Sequence, residues 1–206
     1  GVDIYNYRVE LMANQVRELF GRVPEELNDF VAASQASQAE AFKFHIELMR
    51  TGKWRRTGIL WWNLLDGWPQ FSDAVVDYYG VKKLAYGFIK RAQQPLLLAL
   101  REPFAWRQEL VACSDVRQPL AVRYAVRDTG TGEIVLEGEG MAAPDAVTVL
   151  GSVPYSQGAQ RFYTLSWHSP LGDGASHYLA GNPPFDLAQY LRWLEDAGLR
   201  PEGWPA

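Results

Sequence analysis

Gly58-Ile59-Leu60-Trp61-Trp62-Asn63-Leu64-Leu65-Asp66-Gly67-Trp68-Pro69 decides how this chain is read. A short apolar segment ends in paired tryptophans. A polar turn with a glycine and a third tryptophan follows. An apolar run bounded by turn residues is the pattern of a parallel strand buried on both faces. Residues 57–62 are therefore expected as a buried strand that carries aromatic side chains to the rim of a sheet or barrel. Rims at the carboxyl ends of parallel strands are where α/β folds bind ligands. The chain has one such strand, whereas a closed barrel needs eight. Successive strand side chains face opposite sides, so one of Trp61 and Trp62 faces the interior or a ligand and the other faces the surrounding helices. Asn63 and Asp66 add polarity that a purely packed strand would not need.

Upstream, Val16, Leu19 and Phe20 predict a short helix closed by Gly21. Pro24 suits a first helical position. Helical spacing then runs through Leu27, Phe30, Val31, Ala41, Phe42, His45, Ile46 and Met49. Ser37 and Glu40 match a capping box, so a second helix could start there. Arg50 suits the negative end of the helix dipole, and Gly52 stops the helix. His45, among apolar neighbours, reads as a packed core histidine. Downstream, residues 63–80 form a long loop with Asp66, Asp73 and Asp77. Residues 81–93 are helical, with Leu84, Ala85, Phe88 and Ile89 on one side.

At Pro95 the period shifts from that of a helix to that of a strand. Residues 96–100, 109–113, 120–127, 133–139, 146–149 and 161–167 alternate or run apolar, with turn clusters at 128–132, 138–140 and 172–174. Short strands at this spacing predict an antiparallel sandwich. His168 and His177 flank the last cluster and read as loop residues. Asp186 can cap a final helix at about 186–197, with Leu187, Tyr190, Leu191 and Leu194 as its stripe and Gly198 and Pro201 at its end. The expected domains are 1–95 and 96–206.

Composition narrows the function classes. The 206 residues carry a net charge of −4, split as +1 over residues 1–95 and −5 over the rest. Neither half is a basic nucleic-acid surface. No apolar span is long enough to cross a bilayer, so no membrane partner is expected. The single cysteine, Cys113, reads as a buried strand thiol, and cysteine poverty suits a reducing, cytoplasmic compartment. Three histidines and one cysteine are too scattered for a metal site, and no phosphate loop or nucleophile elbow occurs, so no metal or cofactor is expected. Eight tryptophans fit a carbohydrate or protein binder, since indole faces pack well on apolar C–H surfaces. Asp66, Asp73 and Asp77 could supply a carboxylate pair for glycoside chemistry if about 5 Å apart. Their spacing fixes no such pair, and loop structure is the plainer role. Asp77-Tyr78-Tyr79-Gly80 reads as a loop anchor.

Several motifs in order carry a resemblance. Gln38-Ala39-Glu40, the 58–69 run, Asp77-Tyr78-Tyr79-Gly80, Lys83-Leu84-Ala85-Tyr86 and Lys90-Arg91-Ala92 resemble the C-terminal part of glycoside hydrolase family 2, nearest its β-mannosidase branch. The tail His177-Tyr178-Leu179-Ala180-Gly181-Asn182-Pro183-Pro184-Phe185-Asp186 resembles the end of those proteins. The resemblance implies α/β plus all-β architecture: the last helix-strand-helix of a (β/α)8 barrel, then an immunoglobulin-like sandwich with a short C-terminal helix. It implies retaining hydrolysis of β-glycosides by two glutamates, the nucleophile preceding a Phe-Gly pair. No Glu-Phe-Gly occurs here, so no catalytic residue is expected in this chain and both glutamates are expected upstream of Gly1. Trp62 matches the tryptophan that walls the reacting-sugar subsite, and Asp66 the acidic residue of the following loop. Substrate-binding residues are thus expected at Trp62, Asn63, Asp66 and Trp68. Leu65 and Asn63 depart from the usual β-mannosidase Asn and Gln, which leaves β-galactoside, β-glucuronide and β-glucosaminide open as substrates.

The leading expectation is a C-terminal piece of a retaining β-glycosidase. Its partners are a β-linked glycoside or oligosaccharide and either the N-terminal part of its own barrel or a second copy. A non-catalytic structural or carbohydrate-binding sandwich is the alternative. A lone parallel strand with two unpaired edges leaves backbone groups unsatisfied, so residues 1–95 should need added strands.

Overall fold

A computed structural model describes residues 6–200 and Trp204. Helices α1 (Asn6–Phe20), α2 (Leu27–Thr51) and α3 (Leu84–Ala92) come first. Strands β1 (Leu96–Leu100), β2 (Arg107–Ser114), β3 (Leu120–Asp128), β4 (Ile134–Ala142), β5 (Val147–Pro154), β6 (Arg161–Ser169) and β7 (Gly172–Ala180) follow, then α4 (Leu187–Asp196). The chain divides into two compact units. One holds the described residues of Gly1–Phe44, Leu60–Ile89 and Pro183–Ala206, and the other holds His45–Ile59 and Lys90–Asn182.

The second unit is built on two antiparallel sheets, β1-β2-β5 and β4-β3-β6-β7. Alternation on β3 puts Leu120, Val122, Tyr124 and Val126 into the core, where they join Leu97, Leu98, Val111, Leu165 and Trp167. This is the expected sandwich, with one strand more than the pattern predicted. The Gly172–Gly174 cluster is not a turn but the start of β7, so His168 and His177 are strand residues. His177 is buried and stacks on Phe162 with ring centroids 4.8 Å apart. Gly138 and Gly140 likewise lie within β4 rather than in a turn. The reason is packing across the sheet. A Cβ at Gly174 would sit 2.2 Å from the Trp167 ring, and one at Gly138 would sit 2.8 Å from the Tyr124 hydroxyl. Each glycine is the space that a cross-strand aromatic fills. Cys113 is buried in β2, as expected, and burial pushes its thiol up to about 12.

The end of α2 is tied into this unit. Arg50 donates to the Ala92 and Gln94 carbonyls, both at 2.7 Å, and pairs with Asp115 at 2.8 Å. It therefore satisfies the orphan carbonyls at the end of α3 rather than those of its own helix. Lys53 bridges Asp115 and Asp145 at 2.5 and 2.7 Å.

The first unit contains α1, α4 and the larger part of α2. Gly21, at φ 77°, closes α1 as expected. Helix boundaries differ from expectation at α3, which starts at Leu84 rather than at residue 81, and at α2. α2 starts at Leu27, not Pro24, and runs unbroken through Ser37. The Ser37 hydroxyl donates back to the Ala33 carbonyl at 2.9 Å, a mid-helix bond that removes it from capping. The buried stripe of α2 passes through Ala32, Ala36, Ala39, Lys43 and Ile46. His45 lies off that stripe and is exposed, so it is not a core histidine. The tail returns to the helices. Tyr190 of α4 meets Phe20 edge-on at 5.7 Å and donates to Glu40 at 2.7 Å. The Trp204 indole donates to Gln35 at 2.7 Å. Asp186 caps α4 by accepting from the Gln189 amide at 2.7 Å. Pro201 lies outside the described residues.

The strand expected at residues 57–62 is absent. The segment has no regular structure and no backbone pairing among the described residues, and Leu60 is fully exposed. Its sequence suits a strand, but among the described residues no parallel edge stands beside it, and backbone pairing needs one.

Candidate functional site

Trp61 and Trp62 take opposite environments. The Trp61 indole packs edge-on against Phe42, centroids 5.7 Å apart. Trp62 stands out, 73% exposed, ahead of a cis peptide bond to Asn63. From Asn63 the backbone folds back on itself. The Val75 and Val76 amides donate to the Asn63 and Leu64 carbonyls at 3.1 and 2.9 Å, and the Asp66 amide donates to Val76 at 3.2 Å. The Lys83 amide donates to Val75 at 2.9 Å, so the loop is closed at both ends.

Asp66 sits at the centre of this loop with its residue only 4% exposed. Its carboxylate accepts from the Ser72 hydroxyl and from Gln70 at 3.2 Å, and the Lys83 ammonium lies 3.7 Å away. Lys83 also donates to the Ser72 carbonyl at 3.2 Å. Burial pulls the Lys83 pKa down, against the opposing pull of Asp66. A buried carboxylate with several donors holds a loop rigid, because freeing any partner leaves charge unsatisfied. Asp77 anchors the next turn as expected, its Oδ1 accepting from the Tyr79 and Val81 amides at 2.9 and 2.8 Å. Asp73 is held from outside the loop: Gln38 donates to its carbonyl at 2.7 Å, and Arg8 pairs with its carboxylate at 3.3 Å.

The four residues singled out from sequence thus divide. Trp62 and Trp68 are exposed, as are Leu64, Leu65 and Phe71 of the same segment. Several large apolar side chains exposed on one loop suit an interaction surface. Asn63 is half-buried, and its Oδ1 is enclosed without a hydrogen-bond partner. Asp66 is turned inward and engaged by the loop. None of the four lines the cleft of about 320 Å³ in the same unit, whose walls include Met12, Phe30, Gln35, Gln38, Phe71 and Ser72. Sequence reading missed Ser72, Gln70 and Lys83 as partners of Asp66. Nothing in the spacing of Lys83 points inward. Among the described residues no cluster of His, Cys, Asp or Glu could hold a metal ion, and no helix is long and apolar enough to cross a membrane.

No protein-family profile matches the sequence. β-Mannosidase B of Aspergillus niger is 28% identical over 133 residues of alignment, covering 53% of this chain. β-Mannosidase B of Thermothelomyces thermophilus is 34% identical over 83 residues, covering 37%. The chain spans only 15% and 10% of those two relatives. Among solved structures, β-D-mannosidase of Dictyoglomus thermophilum matches 86% of the chain at a TM-score of 0.70 and 22% identity, over 22% of its own length. These likenesses support reading the chain as similar to a C-terminal portion of glycoside hydrolase family 2 enzymes of the β-mannosidase kind. The exo-chitosanase CsxA of Amycolatopsis orientalis shares the fold at a TM-score of 0.65 and 19% identity, over 82% of this chain and 21% of its own.

Proposed function

We propose that this chain supplies one wall of the sugar site of a retaining β-glycosidase, with a β-mannoside as substrate. The observation that carries this reading is Trp62: an indole 73% exposed, on a loop locked from within by Asp66, in a chain similar to β-mannosidases. An exposed ring on a rigid support can stack on the apolar face of a pyranose, worth about 1 kcal/mol beyond burial. Trp68 extends that wall. Asn63 Oδ1 is an acceptor awaiting a donor, from a sugar hydroxyl or a neighbouring strand. Asp66 acts through the loop and does not touch sugar. In this reading residues 1–95 complete a (β/α)8 barrel, residues 96–206 form the accessory sandwich, and the two catalytic glutamates are supplied by the rest of the barrel. A β-glucosaminide is the second substrate reading, favoured by the likeness to the exo-chitosanase.

In the full-length enzyme, Trp62→Ala should lower kcat/KM on a β-mannoside by about 10-fold or more. The 206-residue chain alone should not turn over p-nitrophenyl β-mannoside. Unchanged kinetics in the variant, or robust turnover by the chain alone, would contradict the proposal.

A further inference from the structure

The β1–β2 hairpin ends in Phe104-Ala105-Trp106-Arg107. Two hydrogen bonds close it: the Phe104 amide donates to the Arg107 carbonyl at 2.8 Å, and the Arg107 amide donates to the Phe104 carbonyl at 3.1 Å. Both central residues are left-handed, Ala105 at φ 50° and Trp106 at φ 63°. That backbone is a type I′ turn, which sequences usually build from Asn-Gly or Asp-Gly because other side chains resist positive φ. Here the second central residue is the largest side chain available. Packing within the unit does not repay it, since Phe104 is 85% and Trp106 68% exposed.

The turn is nevertheless held firmly. The Tyr155 amide donates to the Trp106 carbonyl at 2.9 Å. Arg107 donates to the Ser152 hydroxyl at 2.9 Å. Backbone strain that is fixed by its surroundings and returns no buried contact points to a use for the side chains it displays.

We propose that Phe104 and Trp106 form a sugar-stacking tip on the sandwich, a carbohydrate contact separate from the Trp62 loop, for a β-linked oligosaccharide. Area decides between a sugar and a protein partner. Two aromatic side chains offer about 150–250 Å² each, well short of the roughly 800 Å² per partner of a stable protein interface. Two rings suit the C–H faces of one or two pyranoses. Hydrogen-bonding groups for the hydroxyls stand close by, in Arg107 and in exposed Ser156 and Gln157, which follow Tyr155 in the adjoining loop. The choice of an oligosaccharide rests on the glycosidase reading. The tip itself rests on its own geometry.

The test is an indole N–H correlation spectrum of the ¹⁵N-labelled 206-residue chain, its eight tryptophan signals assigned with Trp106→Phe and Trp62→Phe. β-1,4-Mannohexaose is titrated to millimolar concentration, with a β-1,4-glucosamine hexaose in parallel. The Trp106 signal should move saturably with at least one of the two. The movement should persist in Trp62→Ala, and the shifts of the Ser156 and Gln157 backbone amides that accompany it should vanish in Ala105→Asn/Trp106→Gly. That double variant restores the preferred turn sequence, so it should also unfold at a higher temperature than the parent, which rules out misfolding as the cause of lost binding. A Trp106 signal unmoved by both sugars would overturn the proposal. So would self-association that depends on Trp106, because the tip would then serve a second copy. A response at Trp62 alone removes the tip and leaves the glycosidase reading. A response at Trp106 with unchanged Trp62→Ala kinetics does the reverse.

Discussion

Ile59-Leu60-Trp61-Trp62 and Leu97-Leu98-Ala99-Leu100 are both short apolar runs that end at polar turns. Their fates differ. Leu97 to Leu100 pair in register with β2, from Leu97 opposite Cys113 to Leu100 opposite Leu110, and all four are buried. Ile59 to Trp62 have no backbone pairing among the described residues, and Leu60 is wholly exposed. Apolar sequence makes a segment willing to be a strand. A partner edge, reached here by a short hairpin in one case and missing in the other, makes it one. Leu60 and Trp62 of the unpaired run thus stand open to a further partner, and the buried run is finished structure.

That contrast can be broken by mutation. Leu98→Ala should destabilise the chain by about 2–5 kcal/mol in urea titration, as expected for a large-to-small change in a packed core. Asp66→Ala should cost about 1–3 kcal/mol by leaving the Ser72 hydroxyl and the Lys83 ammonium underserved. It should also speed proteolysis within residues 67–82, an effect that Asp66→Asn should reproduce only in part. A loop equally resistant in Asp66→Ala would show that the carboxylate does not hold it.

Cys113 offers a test by pH. Burial raises its folded thiol from 9.0 to about 12. Between those values the unfolded chain gives up the thiol proton while the folded chain keeps it, so unfolding is favoured as pH rises. The contribution is fully present below 9.0 and lost by about 12. Across that window the parent should lose stability more steeply than Cys113→Ala, by up to about 1.4 kcal/mol per pH unit. Matching slopes would place the thiol in contact with water. Leu60→Ala should show the smallest effect, within about 0.5 kcal/mol, as expected for a surface position.

The sandwich was largely legible because its signals are local. Alternation such as Leu120, Val122, Tyr124 and Val126 survives any context in which one face is buried. β7 escaped because Gly172, Asp173 and Gly174 imitate a turn. What makes them strand residues is the Trp167 ring that needs the space above Gly174, a contact invisible along the chain. His45 was misread because eight helical positions fit two overlapping stripes, and packing chose the one through Ala39, Lys43 and Ile46. At the candidate site, the opposite environments of Trp61 and Trp62 and the loop anchor Asp77 followed from pattern. The inward turn of Asp66 did not, since its partners Ser72 and Lys83 lie at spacings that belong to no regular element. The aromatic hairpin tip was likewise hidden, because Ala105-Trp106 carries none of the usual I′ residues.

Backbone amide hydrogen exchange of the 206-residue chain tests the central contrast most directly. Amides of residues 58–62 should exchange at nearly unprotected rates, while those of Leu97 to Leu100 that donate to β2 exchange only with opening of the sandwich. Protection of residues 58–62 equal to that of β1 would contradict the account. It would mean that the tryptophan run already has its strand partners and is not an open wall.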